Sequence, residues 1–136
     1  MGPSLETDRT ARPPRYAAVS ASALAALVGV AVFKVLKRLS HRQRPCQLEP
    51  HCWSKVLPPD KFSFPSGHTM TAFSIALVLS YFYRGVEVPV YFFACSIAVS
   101  RMVLGMHFLS DVLAGAVLGV GLGCGALTAF AAMGLL

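Results

Sequence analysis

The chain has 136 residues, enough for one domain, and carries a net charge of +6. It is 55% hydrophobic and only 13% charged, with a mean hydropathy of +0.61, which excludes an ordinary soluble domain and points to a membrane. Basicity alone would suit nucleic acid, but eight of the twelve Lys and Arg residues fall between Lys34 and Lys61 or at Arg101, beside a few polar clusters, so nucleic-acid binding is set aside.

Residues 1–15 are polar and Pro-rich and read as a disordered tail; residues 16–136 form the membrane domain. The apolar run after the tail has no small-residue cleavage site before the basic stretch, so it is not read as a signal peptide. Glu6 stands where a myristoylation signal needs Ser or Thr. Tyr16 to Leu36 is uncharged apart from Lys34 and is long enough for one bilayer crossing. A basic stretch from Lys37 to Arg44 closes this helix, and Pro45 predicts a helix end at Arg44. A loop over 46–64 carries Trp53, Phe62 and Phe64, which suit a membrane–water interface.

A second helix is predicted from about Ser66 to Tyr83, a third from about Val88 to Gly105 and a fourth from about Ser110 to Leu136. The fold class is therefore all-α, a multi-pass membrane bundle of four transmembrane helices. Gly115, Gly119 and Gly123 form a small-residue stripe on the last helix, suited to close packing on another helix. Packing within the monomer is preferred, since four helices must pack on each other anyway; a homo-oligomer contact through the same stripe is the alternative. Cys95 and Cys124 lie in apolar runs and read as packing residues. Cys46 and Cys52 flank a polar loop, where a disulfide and two free thiols are both open readings.

Three polar clusters interrupt the apolar chain: Lys37-x6-Arg44-Pro45, Pro65-Ser66-Gly67-His68, and Ser100-Arg101-x5-His107-x3-Asp111. With four alternating crossings they lie at the end of helix one, the start of helix two, and the junction of helices three and four. All of those ends are on one side of the membrane, so the clusters converge on one face. Ionisable groups are costly there and need a reason. Lys37, Arg44 and Arg101 would repel each other without an anion between them, and a tetrahedral oxyanion such as phosphate suffices. If the first helix persists, Lys37 and Arg44 share a face, seven residues apart. Taken alone, they read better as interfacial or lipid-headgroup anchors.

Ser66 and Gly67 open a helix, where backbone N–H groups favour anions, although Ser66 alone reads best as a cap. His68 adds a titratable group at that point. His107 and Asp111 are four apart, so on one helix the carboxylate can orient one imidazole nitrogen and leave the other to attack; a structural pair bracing the helix start is an equal reading. Arg101, inside the end of helix three, is expected to pair with Asp111, with a ligand, or with both. His41 and His51 read as interfacial histidines. No metal constellation appears, because the surrounding cations would repel a metal ion.

These clusters resemble the three signatures of the type 2 phosphatidic acid phosphatase superfamily, with every specified position present and in order. The resemblance implies hydrolysis of a phosphate ester without metal or cofactor, through a phosphohistidine. By that analogy His107 attacks phosphorus, Asp111 orients it, and His68 protonates the leaving oxygen and then activates water. Lys37, Arg44, Ser66, Gly67 and Arg101 hold the phosphoryl group, and Ser100 is a supporting position. The implied substrate is a lipid phosphate or diphosphate in the bilayer, of the phosphatidate, phosphatidylglycerophosphate or undecaprenyl diphosphate type. The implied location is the cell membrane, with the site facing away from the cytoplasm. Charge counting between the two sides is indecisive once the site cations are removed. Membrane members usually have two further helices ahead of the first signature, so this chain reads as a version lacking them or as a truncated reading frame. A vanadate-dependent haloperoxidase has a similar site, and a non-catalytic phospholipid-binding protein is the third reading.

Overall fold

The computed structural model describes residues 15–48 and 61–136. Among them the chain forms four long helices and one short turn of helix: α1 (Arg15–Ser40), α2 (Pro45–Leu48), α3 (Gly67–Phe82), α4 (Glu87–Val103) and α5 (Leu109–Ala132). The predicted 1–14 part of the tail, Trp53, and the Cys46–Cys52 pairing lie wholly or partly outside the described residues.

Helix α1 stops at Ser40, one turn short of the predicted end at Arg44, and Lys37 is helical. His41 then takes a left-handed backbone with φ of 46°, which ends the helix before Arg44. Pro45 therefore opens α2 rather than ending α1, which suits a residue whose missing N–H is not needed in a first turn. The expectation that Lys37 and Arg44 share one helical face is thus corrected, since the chain has turned between them.

The protein is a membrane helical bundle. Helices α1 and α5 are long and apolar enough to cross a bilayer, at 26 and 24 residues; α3 and α4 are shorter, at 16 and 17. Helix α3 is the hub and packs on α1, α4 and α5, while α1 also touches α5. Its closest partner is α5, through the glycine stripe. A Cβ on Gly115 would lie 2.6 Å from the Ser66 carbonyl oxygen, and one on Gly119 would lie 2.3 Å from that of Met70. The stripe is therefore used within the chain.

The inward residues are small: Ala17, Ala21 and Ala25 on α1, Ala76 on α3, Ala94 and Ala98 on α4. Large apolar side chains such as Leu27, Val35, Val88, Phe92, Val103, Leu113 and Val117 point outward. Water would penalise such a surface, whereas lipid accepts it and close backbone packing then supplies the cohesion. Cys95 and Cys124, expected among packed residues, are exposed on these outer faces. At one end of the bundle Ala21, Val78 and Phe130 form an apolar plug with Leu24, Phe82 and Leu127 around it. The other end, where α1 and α4 finish and α3 and α5 begin, is polar.

Candidate active site

Backbone hydrogen bonds tie the polar end together. The Ser66 N–H donates to the Asp111 carbonyl at 3.0 Å, joining the starts of α3 and α5. The Cys46 N–H donates to the Gly105 carbonyl at 3.0 Å, joining α2 to the α4–α5 loop. Arg44 Nη1 donates to the Met106 carbonyl at 2.9 Å across the same junction. The three clusters, remote in sequence, are brought to one place.

The groups there are deeply buried: Lys37 is 7% exposed, Arg44 3%, His107 5%, and Ser66 and Asp111 0%. Lys37 Nζ lies 4.4 Å from the centre of the Phe33 ring, a cation–π contact. The same ring explains Gly67, because a Cβ there would meet Phe33 Cε2 at 2.7 Å. Phe33 was not singled out from sequence, although its four-residue spacing from Lys37 on α1 puts both on one face. Ser66 precedes α3, but its hydroxyl makes no cap; it shares a hydrogen bond with Thr69 Oγ1 at 2.9 Å. His68, on the first turn of α3, is exposed beside a cavity of about 440 Å³ that Val30, Phe33, Met70, Ile75 and Ile97 also line.

His107 lies in the α4–α5 loop, and Asp111 in the first turn of α5. Their expected hydrogen bond is absent: His107 Nδ1 is 3.8 Å from Asp111 Oδ2 and is buried without a hydrogen-bond partner among the described residues. Asp111 Oδ2 instead accepts the Phe108 N–H at 2.8 Å, because the carboxylate caps its own helix. Arg101 does not take the Asp111 charge either. Its Nη1 approaches Met106 Sδ at 3.8 Å, and its Nε is a buried donor with no partner among the described residues. Arg42, which sequence reasoning passed over, holds Asp111 Oδ1 at 2.8 Å. Ser100 donates to Ile97 O at 2.7 Å, within its own helix.

This arrangement sets the charge of His107. Burial lowers its pKa from 6.5 to about 4, and the positive charges of Arg44 and Lys37 push the same way. The Ser63 backbone and Asp111 favour the protonated ring but do not prevail. At neutral pH the imidazole is therefore uncharged, with a lone pair available. Because the folded value lies below the unfolded one, the unfolded chain takes up this proton first as pH falls. The contribution to stability is complete above 6.5 and is lost as pH falls towards about 4. Ring-labelled His107 observed by NMR should stay neutral down to about pH 5. A midpoint near the ordinary value of 6.5 would contradict this environment.

Neutral imidazole, buried cations, an orphaned guanidinium N–H and helix N-termini suit the binding of a tetrahedral anion and in-line attack on it. Comparison with known proteins agrees in kind. The family model described as the PAP2 superfamily matches residues 17–134. The chain is 37% identical over 98 residues to the decaprenylphosphoryl-5-phosphoribose phosphatase of Mycobacterium tuberculosis, covering 72% of this chain and 53% of that protein. It thus spans about half the length of that relative. Among solved structures, Aquifex aeolicus LpxE is similar at a TM-score of 0.75 and 32% identity, over 84% of this chain and 69% of that one. The transmembrane PAP2-type phosphatidylglycerolphosphate phosphatase of Bacillus subtilis is similar at a TM-score of 0.59 and 31% identity, over 79% and 56%.

Proposed function

Since the chain belongs to the PAP2 superfamily, we propose that it hydrolyses a lipid phosphate or diphosphate at the bilayer surface through a phosphohistidine on His107. The observation that carries this reading is the burial of His107 together with the cations Arg44 and Lys37, whose charges act on it. The second ring nitrogen attacks phosphorus while the P–O bond to the leaving group breaks. His68 gives that oxygen its proton. His68 then accepts a proton from water, which attacks phosphorus, breaks the N–P bond and frees phosphate and His107. Arg44, Lys37 and Arg101, with Ser66 and the Gly67 N–H, stabilise the charge spread over the equatorial oxygens.

A lipid substrate is supported by three features. The site lies at one end of a membrane bundle, where α1 and α4 finish and α3 and α5 begin. The apolar cavity beside His68 offers room for the chain next to the scissile bond. The relatives bear the names of phosphatases acting on phosphorylated lipids. Purified protein with EDTA present should release phosphate from vesicles holding phosphatidate, phosphatidylglycerophosphate or undecaprenyl diphosphate. The His107→Ala variant should release none above background, and equal release by the two would sink the assignment.

A further inference from the structure

Both oxygens of Asp111 are occupied, and neither by His107. Oδ2 takes the Phe108 N–H and Oδ1 takes Arg42 Nη1, each at 2.8 Å. The same Nη1 donates to Ser110 Oγ at 2.7 Å, and the guanidinium carbon sits 4.3 Å from the centre of the Phe108 ring. Arg42 therefore grips the start of α5 through three residues. Its own backbone is anchored, since the Ser63 N–H donates to the Arg42 carbonyl at 2.8 Å. The side chain of Asp111 is wholly buried while that of Arg42 is 40% exposed, so the carboxylate is compensated from the solvent side. A buried carboxylate deprived of that partner would be left uncompensated and would move.

Arg42 occupies an unspecified position within the K-x6-R-P signature. Its guanidinium is directed at the first turn of α5, the turn whose Asp111 Oδ2 lies 3.8 Å from His107 Nδ1. We propose that Arg42 is a positioning residue, which holds the Asp111 carboxylate in place 3.8 Å from His107 Nδ1 and thereby sets the orientation of that ring. This inference rests on the nucleophilic role of His107 given above. It predicts a defect in turnover rather than in phosphate recognition, because Arg42 acts through the carboxylate.

The test is a double-mutant cycle on the full chain: Arg42→Ala, Asp111→Asn and the two combined. Turnover of dioctanoyl phosphatidate and inhibition by inorganic phosphate are both measured. Arg42→Ala should lower kcat about 100-fold, as misplacement of a reacting group does. KM and the phosphate inhibition constant should stay within about twofold of wild type. In the Asp111→Asn background the same change should cost nothing further, and Arg42→Lys should recover part of the rate. Additive losses would mean that Arg42 acts independently of Asp111, and weakened phosphate inhibition would place it in the anion cradle; either result overturns the proposal. If Arg42→Ala does not fold, Arg42→Gln replaces it in the cycle with the same expectations. A wild type no more active than His107→Ala removes the functional reading and this inference with it, which separates that failure from a failure of the cycle alone.

Discussion

Gly119→Leu is expected to prevent the bundle from closing, with a cost on the order of 3 kcal/mol or more. A Cβ there would lie 2.3 Å from the Met70 carbonyl oxygen and 3.1 Å from both Met70 C and Cα. These are backbone atoms of the central helix and cannot rotate aside. Relief requires α5 to move off α3, and the two helices also carry Asp111 and Ser66 to the polar end. The loss should therefore appear both as a lower melting temperature in detergent and as lost phosphatase activity. Gly121→Leu, where nothing lies within 4 Å of a Cβ, is the control and should melt like wild type. Equal melting of the two variants would contradict the α3–α5 packing.

Arg44→Ala is expected to lower kcat about 100- to 1000-fold, the typical loss for one donor in a charge-stabilising cradle. Arg44 is 3% exposed and reaches across to Met106 O, so its removal also frees a carbonyl beside His107. Its charge helps to hold the His107 pKa down, so that pKa should rise in the variant. Arg44→Lys keeps a charge but loses the planar fork, and should restore only a minor part of the rate. Steady-state kinetics on a lipid phosphate checks both variants; a kcat within about threefold of wild type for Arg44→Ala would remove Arg44 from the cradle.

The convergence of the clusters was legible because it depends on helix order alone. Alternating helices place the ends of α1 and α4 with the starts of α3 and α5 whatever the side chains do. Pairings within the site were less legible. The shared face of Lys37 and Arg44 assumed a continuous helix, and one residue, His41 at φ 46°, undoes it. The His107–Asp111 hydrogen bond was inferred from four-residue spacing, but His107 lies in the loop before α5, where that spacing does not apply. Asp111 then spends its two oxygens on Phe108 and Arg42. Nothing in the local pattern distinguishes Arg42 from Arg38, because its partner is 69 residues away. The glycine stripe was legible as a packing surface and, by preference, as an internal one; the Met70 backbone against Gly119 identifies its partner.

The most direct measurement is to trap the covalent intermediate. Protein mixed with lipid phosphate radiolabelled at phosphorus, and quenched within the first turnover, should carry an acid-labile, alkali-stable phosphoramidate. Peptide mapping should place the label on His107, and His107→Ala should carry none. Label on another residue, or steady phosphate release with no labelled protein at any quench time, would contradict nucleophilic catalysis by His107.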